Sequence, residues 1–139
     1  MNTEKLILYS LTLFMDVILL NEILYFSLSM TIIDLFFCVL CLLSHFVFYY
    51  ALYNNLSDLL GILHILMGGF IVSSLFLKNV LIVCLCIFLL FVVQSLWIIY
   101  DRCIINDFDD YFINGHSKII RFFTIIFTII LSIRLGILL

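Results

Sequence analysis

Two histidines stand inside apolar segments of this sequence, His45 and His64, one on each arm of a hairpin turned by Asn54-Asn55-Leu56-Ser57. Imidazole is a common axial ligand of haem, and it can also hydrogen-bond a quinone. His45 lies eight residues before Tyr53 and His64 six after Asp58. On two antiparallel helices that puts both rings ~10 Å below one membrane face, at ~1.5 Å of rise per residue. His45 and His64 are therefore the candidate cofactor-binding residues, with haem b or a quinone as the cofactor they would hold. Satisfaction by neighbouring hydroxyls or carbonyls is the structural alternative.

The remaining polar groups in apolar surroundings are Asp16, Asn21 and Glu22 in the first segment and Gln94 in the fourth. Carboxylates in a membrane are costly and face a bundle interior or a water-filled path. A proton or cation path, hence a small channel or transporter, requires these four to face inward together. Asp16 and Glu22 are six residues apart, about 120° around a helix, so they do not share a face. Interhelical hydrogen bonding is the competing expectation. Cys38-Val-Leu-Cys41 has the form of a redox or metal pair, but on a helix it is a small-hydrophobe face. Cys103, just past the fourth segment, could carry a palmitoyl chain. Asp107-Phe-Asp109-Asp110 lacks the glycine turn and distal carboxylate of a calcium loop, so a solvated acidic face is expected there, with His116 in the loop beyond. No Ser-His-Asp order, zinc-ligand spacing, P-loop, nucleotide fingerprint or potassium filter occurs. The expectation is no catalytic residue, no metal site and no enzyme.

The elements that must position these residues follow from composition. Of 139 residues 67% are hydrophobic and 11% charged, and the mean hydropathy is +1.39. A soluble domain is about half apolar and about a quarter charged. Several runs reach the ~20 apolar residues a helix needs to cross a bilayer, and the alternating segments of a barrel are absent. The fold class expected is all-α, a polytopic transmembrane helix bundle forming one domain. Spans are expected at about 6–30, 32–53, 58–77, 80–100 and 118–139. Between the fourth and fifth, Ile104, Ile105, Phe108, Tyr111 and Phe112 share one stripe, predicting an amphipathic interfacial helix over 102–113. The net charge of −3 offers no basic patch, which argues against a nucleic-acid partner. Absence of Pro and a single alanine, Ala51, suggest an AT-rich genome and so an organellar inner membrane or a viral or host membrane.

Caps and packing faces are also legible. Thr31 with Asp34 reads as a capping box opening the second span, and Asn55 or Ser57 as the cap of the third. Gly61, Gly68, Gly69 and Ser73 form one small-residue face, and Thr124, Thr128, Ser132 and Gly136 recur every four residues on the last span. Such faces let helices approach closely where lipid gives no hydrophobic drive; they can meet helices of this chain or of a partner. Lys5, Arg102, Lys118 and Arg121 fall on one side and Lys78 and Arg134 on the other, which predicts the N-terminus inside and the C-terminus outside.

His64 with Gly68 resembles the His-x-x-x-Gly element of succinate dehydrogenase membrane anchors, a resemblance that implies haem or quinone binding. The Arg near the first helix of those anchors and their Asp-Tyr pair after the glycine are missing, Ser74-Leu75 standing in place of the pair. Those anchors normally have three spans. Trp97, Cys103, Asn106 and Asp109, preceded by Leu63-His64 and Gly68-Gly69, resemble a small uncharacterised family of multi-span membrane proteins in bacteria and large DNA viruses. That family has a Trp, then Cys-x-x-Thr-x-x-Glu, after the third of four spans. Here Asn106 replaces the Thr and Asp109 the Glu, and there is an extra N-terminal span. The resemblance implies fold more than activity. The function expected is a non-catalytic structural or assembly subunit of a larger membrane complex, self-associating or joined to other membrane subunits, with bound lipids. A haem- or quinone-binding anchor and a small channel or transporter are the alternatives.

Overall fold

A computed structural model describes residues 3–100 and 117–139 of the chain. The described residues form five α-helices: α1 (Thr3–Phe26), α2 (Ile32–Asn54), α3 (Ser57–Ser73), α4 (Val80–Tyr100) and α5 (Ser117–Leu138). A short 3-10 turn, Ser74–Phe76, prolongs α3. All five are long and apolar enough to cross a membrane, which is consistent with an integral membrane protein. Leucine and isoleucine at the outer positions, such as Leu13, Leu24, Leu43, Ile62, Ile98 and Ile133, are exposed; in a bilayer they face chains as apolar as themselves. The interfacial helix expected over 102–113, with Cys103, Asp107, Asp109, Asp110 and His116, lies outside the described residues.

Helices α1 and α2 pack together, α2 packs on α3, and α4 packs most closely on α5. Side-chain bonds fix the directions. Lys5 donates to the carbonyl of Leu52 and to Asn55 Oδ1, while Asp16 meets His45; one number rises as the other falls, so α1 and α2 are antiparallel. Gln94 reaches Thr128, and Arg134 reaches the carbonyl of Leu77, so α4 and α5 are antiparallel too. One end of the bundle therefore gathers the N-termini of α1, α3 and α5 with the C-termini of α2 and α4. The main core lies between α1, α2, α4 and α5, built around Leu19, Cys38, Ile82, Val83, Leu90 and Leu131. Cys38 and Cys41 are free thiols buried in that core, where they pack as small hydrophobes.

The opposite end is held by a network centred on Asp34. Thr31 caps α2 in a full capping box with Asp34. Asp34 Oδ2 accepts from the Thr31 hydroxyl at 2.6 Å and from its N–H at 3.2 Å. Its other oxygen accepts from the backbone N–H groups of Lys78 at 2.8 Å and Asn79 at 3.2 Å, just ahead of α4. Asn79 is itself the cap of α4, its Oδ1 accepting from the N–H groups of Leu81 and Ile82. Its amide donates to Glu22 Oε2 at 2.7 Å near the end of α1. Three helices are thus tied by two carboxylates and an asparagine, and Asp34 is only 1% exposed.

The α2–α3 turn differs from the sequence expectation. Asn55 does not cap α3; it ends α2 in the left-handed region, φ 55° and ψ 44°, with its N–H on the carbonyl of Ala51. Asparagine tolerates that conformation better than other non-glycine residues. Ser57 is already helical, and the capping position of α3 is Leu56, which has no side-chain bond to give.

Candidate functional site

A cavity of ≈ 420 Å³ lies inside the bundle, with wall residues from all five helices. That volume falls in the ~300–1,000 Å³ range of small-molecule pockets. Its walls are mainly Leu, Ile, Phe, Met and Val, and among the described residues its lining contains no Lys, Arg, Asp or Glu. The polar side chains on the wall are Thr12, Ser44, His45, His64, Trp97 and Thr124. His45 precedes the end of α2 at Asn54 by nine residues, and His64 follows the start of α3 at Ser57 by seven. At ~1.5 Å per residue both lie in the half of the bundle nearer the α2–α3 turn. The structure therefore brings His45 and His64 to one cavity.

His45 is the better defined of the two. Its Nδ1 donates to Asp16 Oδ1 at 2.6 Å, and Tyr49 donates its hydroxyl to Asp16 Oδ2 at 2.9 Å. Both donors stand on one face of α2, four residues apart, opposite the middle of α1. Tyr49 is in turn stacked on Tyr9, with ring centroids 5.8 Å apart. The carboxylate fixes the ring's orientation and its tautomer, as outer partners of ligating histidines do. Nε2 has no partner among the described residues. Among the described residues, the buried polar side-chain atoms sealed from accessible space without a partner are Trp97 Nε1 and Arg134 Nε. His45 Nε2 is not one of them, so it reaches accessible space.

The other polar residues singled out in the sequence do not converge on a path. Asp16 is occupied by His45 and Tyr49, and Glu22 by Asn79 at the far end of the bundle. Gln94 donates to Thr128 Oγ1 at 2.7 Å between α4 and α5. Asn21 is exposed on the outer wall of α1, in a shallow groove with Phe14, Cys84 and Phe88. Asp16, Glu22 and Gln94 thus make interhelical hydrogen bonds in three separate places.

The small-residue faces divide. Gly61 is buried, and Thr128 is buried where Gln94 meets it. A Cβ added at Gly68, Gly69 or Gly136 would meet nothing within 4 Å. Ser73 and Ser132 spend their hydroxyl protons on the carbonyls of Phe70 and Thr128 in their own helices, and Ser132 is exposed. Within the described residues, then, Gly68, Gly69 and Gly136 leave bare backbone uncovered. Gly68 also contributes to the cavity wall.

Sequence reasoning missed the Asp16–His45–Tyr49 cluster and the reach of Asp34 to α4. The signal for the first was present: His45 and Tyr49 are four residues apart, on one helical face. What spacing lacks is the register of α1 against α2. No protein-family model, curated protein or solved structure matches this chain.

Proposed function

We propose that this chain is a non-catalytic integral membrane protein serving as a structural or assembly subunit of a larger membrane complex, in an organellar inner membrane or a viral or host membrane. The observation that carries this reading is the uncovered backbone at Gly69 and Gly136. Small residues are useful in a membrane where another helix comes close, and among the described residues no helix of this chain takes up those two positions. The complementary surface is then a second copy or another membrane subunit. The N-terminus faces inside and the C-terminus outside in this reading, following the distribution of Lys and Arg. Extraction with a mild detergent, followed by cross-linking and mass measurement, tests it. Assembly larger than one chain is expected, and Gly69→Leu with Gly136→Leu should dissociate it while leaving helix content unchanged.

A second reading has its own support. His45 and His64 line one apolar cavity, as an anchor holding haem b or a quinone between helices requires. Nδ1 of His45 is held by Asp16, which leaves Nε2 for a ligand. A reduced-minus-oxidised absorption spectrum of protein freshly extracted from its native membrane checks the haem form. A b-type band lost in His45→Ala and in His64→Ala would establish it; a flat spectrum would remove it.

A further inference from the structure

The cavity contains a more specific recognition device than its volume. We propose that it binds an uncharged amphiphile with a hydroxyl head, a long-chain or polycyclic alcohol drawn from the bilayer, and that the hydroxyl donates to His45 Nε2. This rests on the cavity of the second reading, not on assembly, and it competes with haem for the same nitrogen.

Three features select that chemistry. Asp16 takes the Nδ1 proton of His45 at 2.6 Å and the Tyr49 hydroxyl at 2.9 Å. With its proton on Nδ1, a neutral imidazole presents a lone pair at Nε2. In that form the atom accepts and does not donate, so a ketone or ester does not satisfy it, while an O–H does. Second, the other hydroxyls on the wall have committed their protons: Thr12 to the carbonyl of Leu8, Ser44 to that of Cys41 and Thr124 to that of Arg121. An ordered water wants two to four polar partners, and a wall this apolar suits an alcohol with a hydrocarbon body better. Third, among the described residues the wall has no Lys or Arg to meet a phosphate or carboxylate, which favours an uncharged head over phospholipid and fatty-acid heads.

Trp97 supplies the readout. It is the only tryptophan in the chain, and it lines the cavity. Its fluorescence would be followed in nanodiscs of the full chain during addition of an octadecanol dibrominated in its tail, or of the methyl ether of that alcohol. Both probes partition into the bilayer and quench alike in a linear fashion; only the cavity adds a saturable component. The alcohol should saturate at a roughly tenfold lower mole fraction than the ether, since the ether leaves a buried acceptor unpaired. Asp16→Asn should erase or reverse that order. The Tyr49 hydroxyl keeps the amide oxygen, the amide N–H₂ turns to Nδ1, and the ring proton moves to Nε2. The double variant Asp16→Leu/His45→Phe removes donor and acceptor together and should abolish the preference even if Asp16→Asn does not fold. Equal binding of the two probes, absence of a saturable component, or a preference that survives either variant overturns the proposal. So does a b-type haem isolated with the protein and lost in His45→Ala, which would give Nε2 to iron. A monomeric protein that still prefers the alcohol would remove the assembly reading and leave this one standing.

Discussion

Asp34 shows how much one residue can do in an apolar bundle. Its two oxygens accept four hydrogen bonds, two from the cap of α2 and two from backbone N–H groups ahead of α4. Loss of a helix cap costs about 1 kcal/mol, and each buried N–H left unpaired costs a further ~1–3 kcal/mol. Asp34→Ala should therefore lower stability by at least about 3 kcal/mol, read from unfolding of the purified protein in mixed micelles. A fall below ~1 kcal/mol would mean that Lys78 and Asn79 find other acceptors. Half of this role was legible in the sequence, because Thr31 and Asp34 have the spacing of a capping box. The other half was not. Asp34 and Lys78 are 44 residues apart, and no local pattern says which helix end will stand beside which. The same holds for Asp16 and His45, 29 residues apart.

At the scale of elements, the spans themselves could be read from apolar run length, since a bilayer demands about 20 residues whatever the rest of the fold does. Polar residues within them could be noticed but not paired. Gln94 and Thr128 illustrate the point. Thr128 was legible only as one member of a four-residue stripe, yet it is the member that Gln94 meets at 2.7 Å and that is buried. Interhelical hydrogen bonds of this kind contribute about 0.6 kcal/mol on average and ~1.7 kcal/mol at most. A double-mutant cycle of Gln94→Leu and Thr128→Val should give a coupling in that range. Zero coupling would show that α4 and α5 are held by apolar packing alone. Asn79 joins the same class of device, capping α4 while holding Glu22 of α1. Asn79→Ala should cost about 1 kcal/mol as a lost cap, with a further loss from leaving the Glu22 carboxylate, 5% exposed, short of a donor. The same unfolding assay measures it, and a variant as stable as the parent would refute it.

For the whole molecule, the composition that betrays a membrane protein also hides its partners. Nearly every outward face is Leu, Ile, Phe or Val, so lipid contact and protein contact look alike in the sequence. Glycine breaks that ambiguity where open backbone stands with no described helix of this chain against it, at Gly69 and Gly136. The most direct test is the mass of the particle formed when the chain is taken from its native membrane in a polymer that keeps the surrounding lipid. If it is an assembly subunit, the protein mass should exceed the 16.3 kDa of one chain and fall to that value in Gly69→Leu/Gly136→Leu. One chain per particle in the unaltered protein would contradict the account.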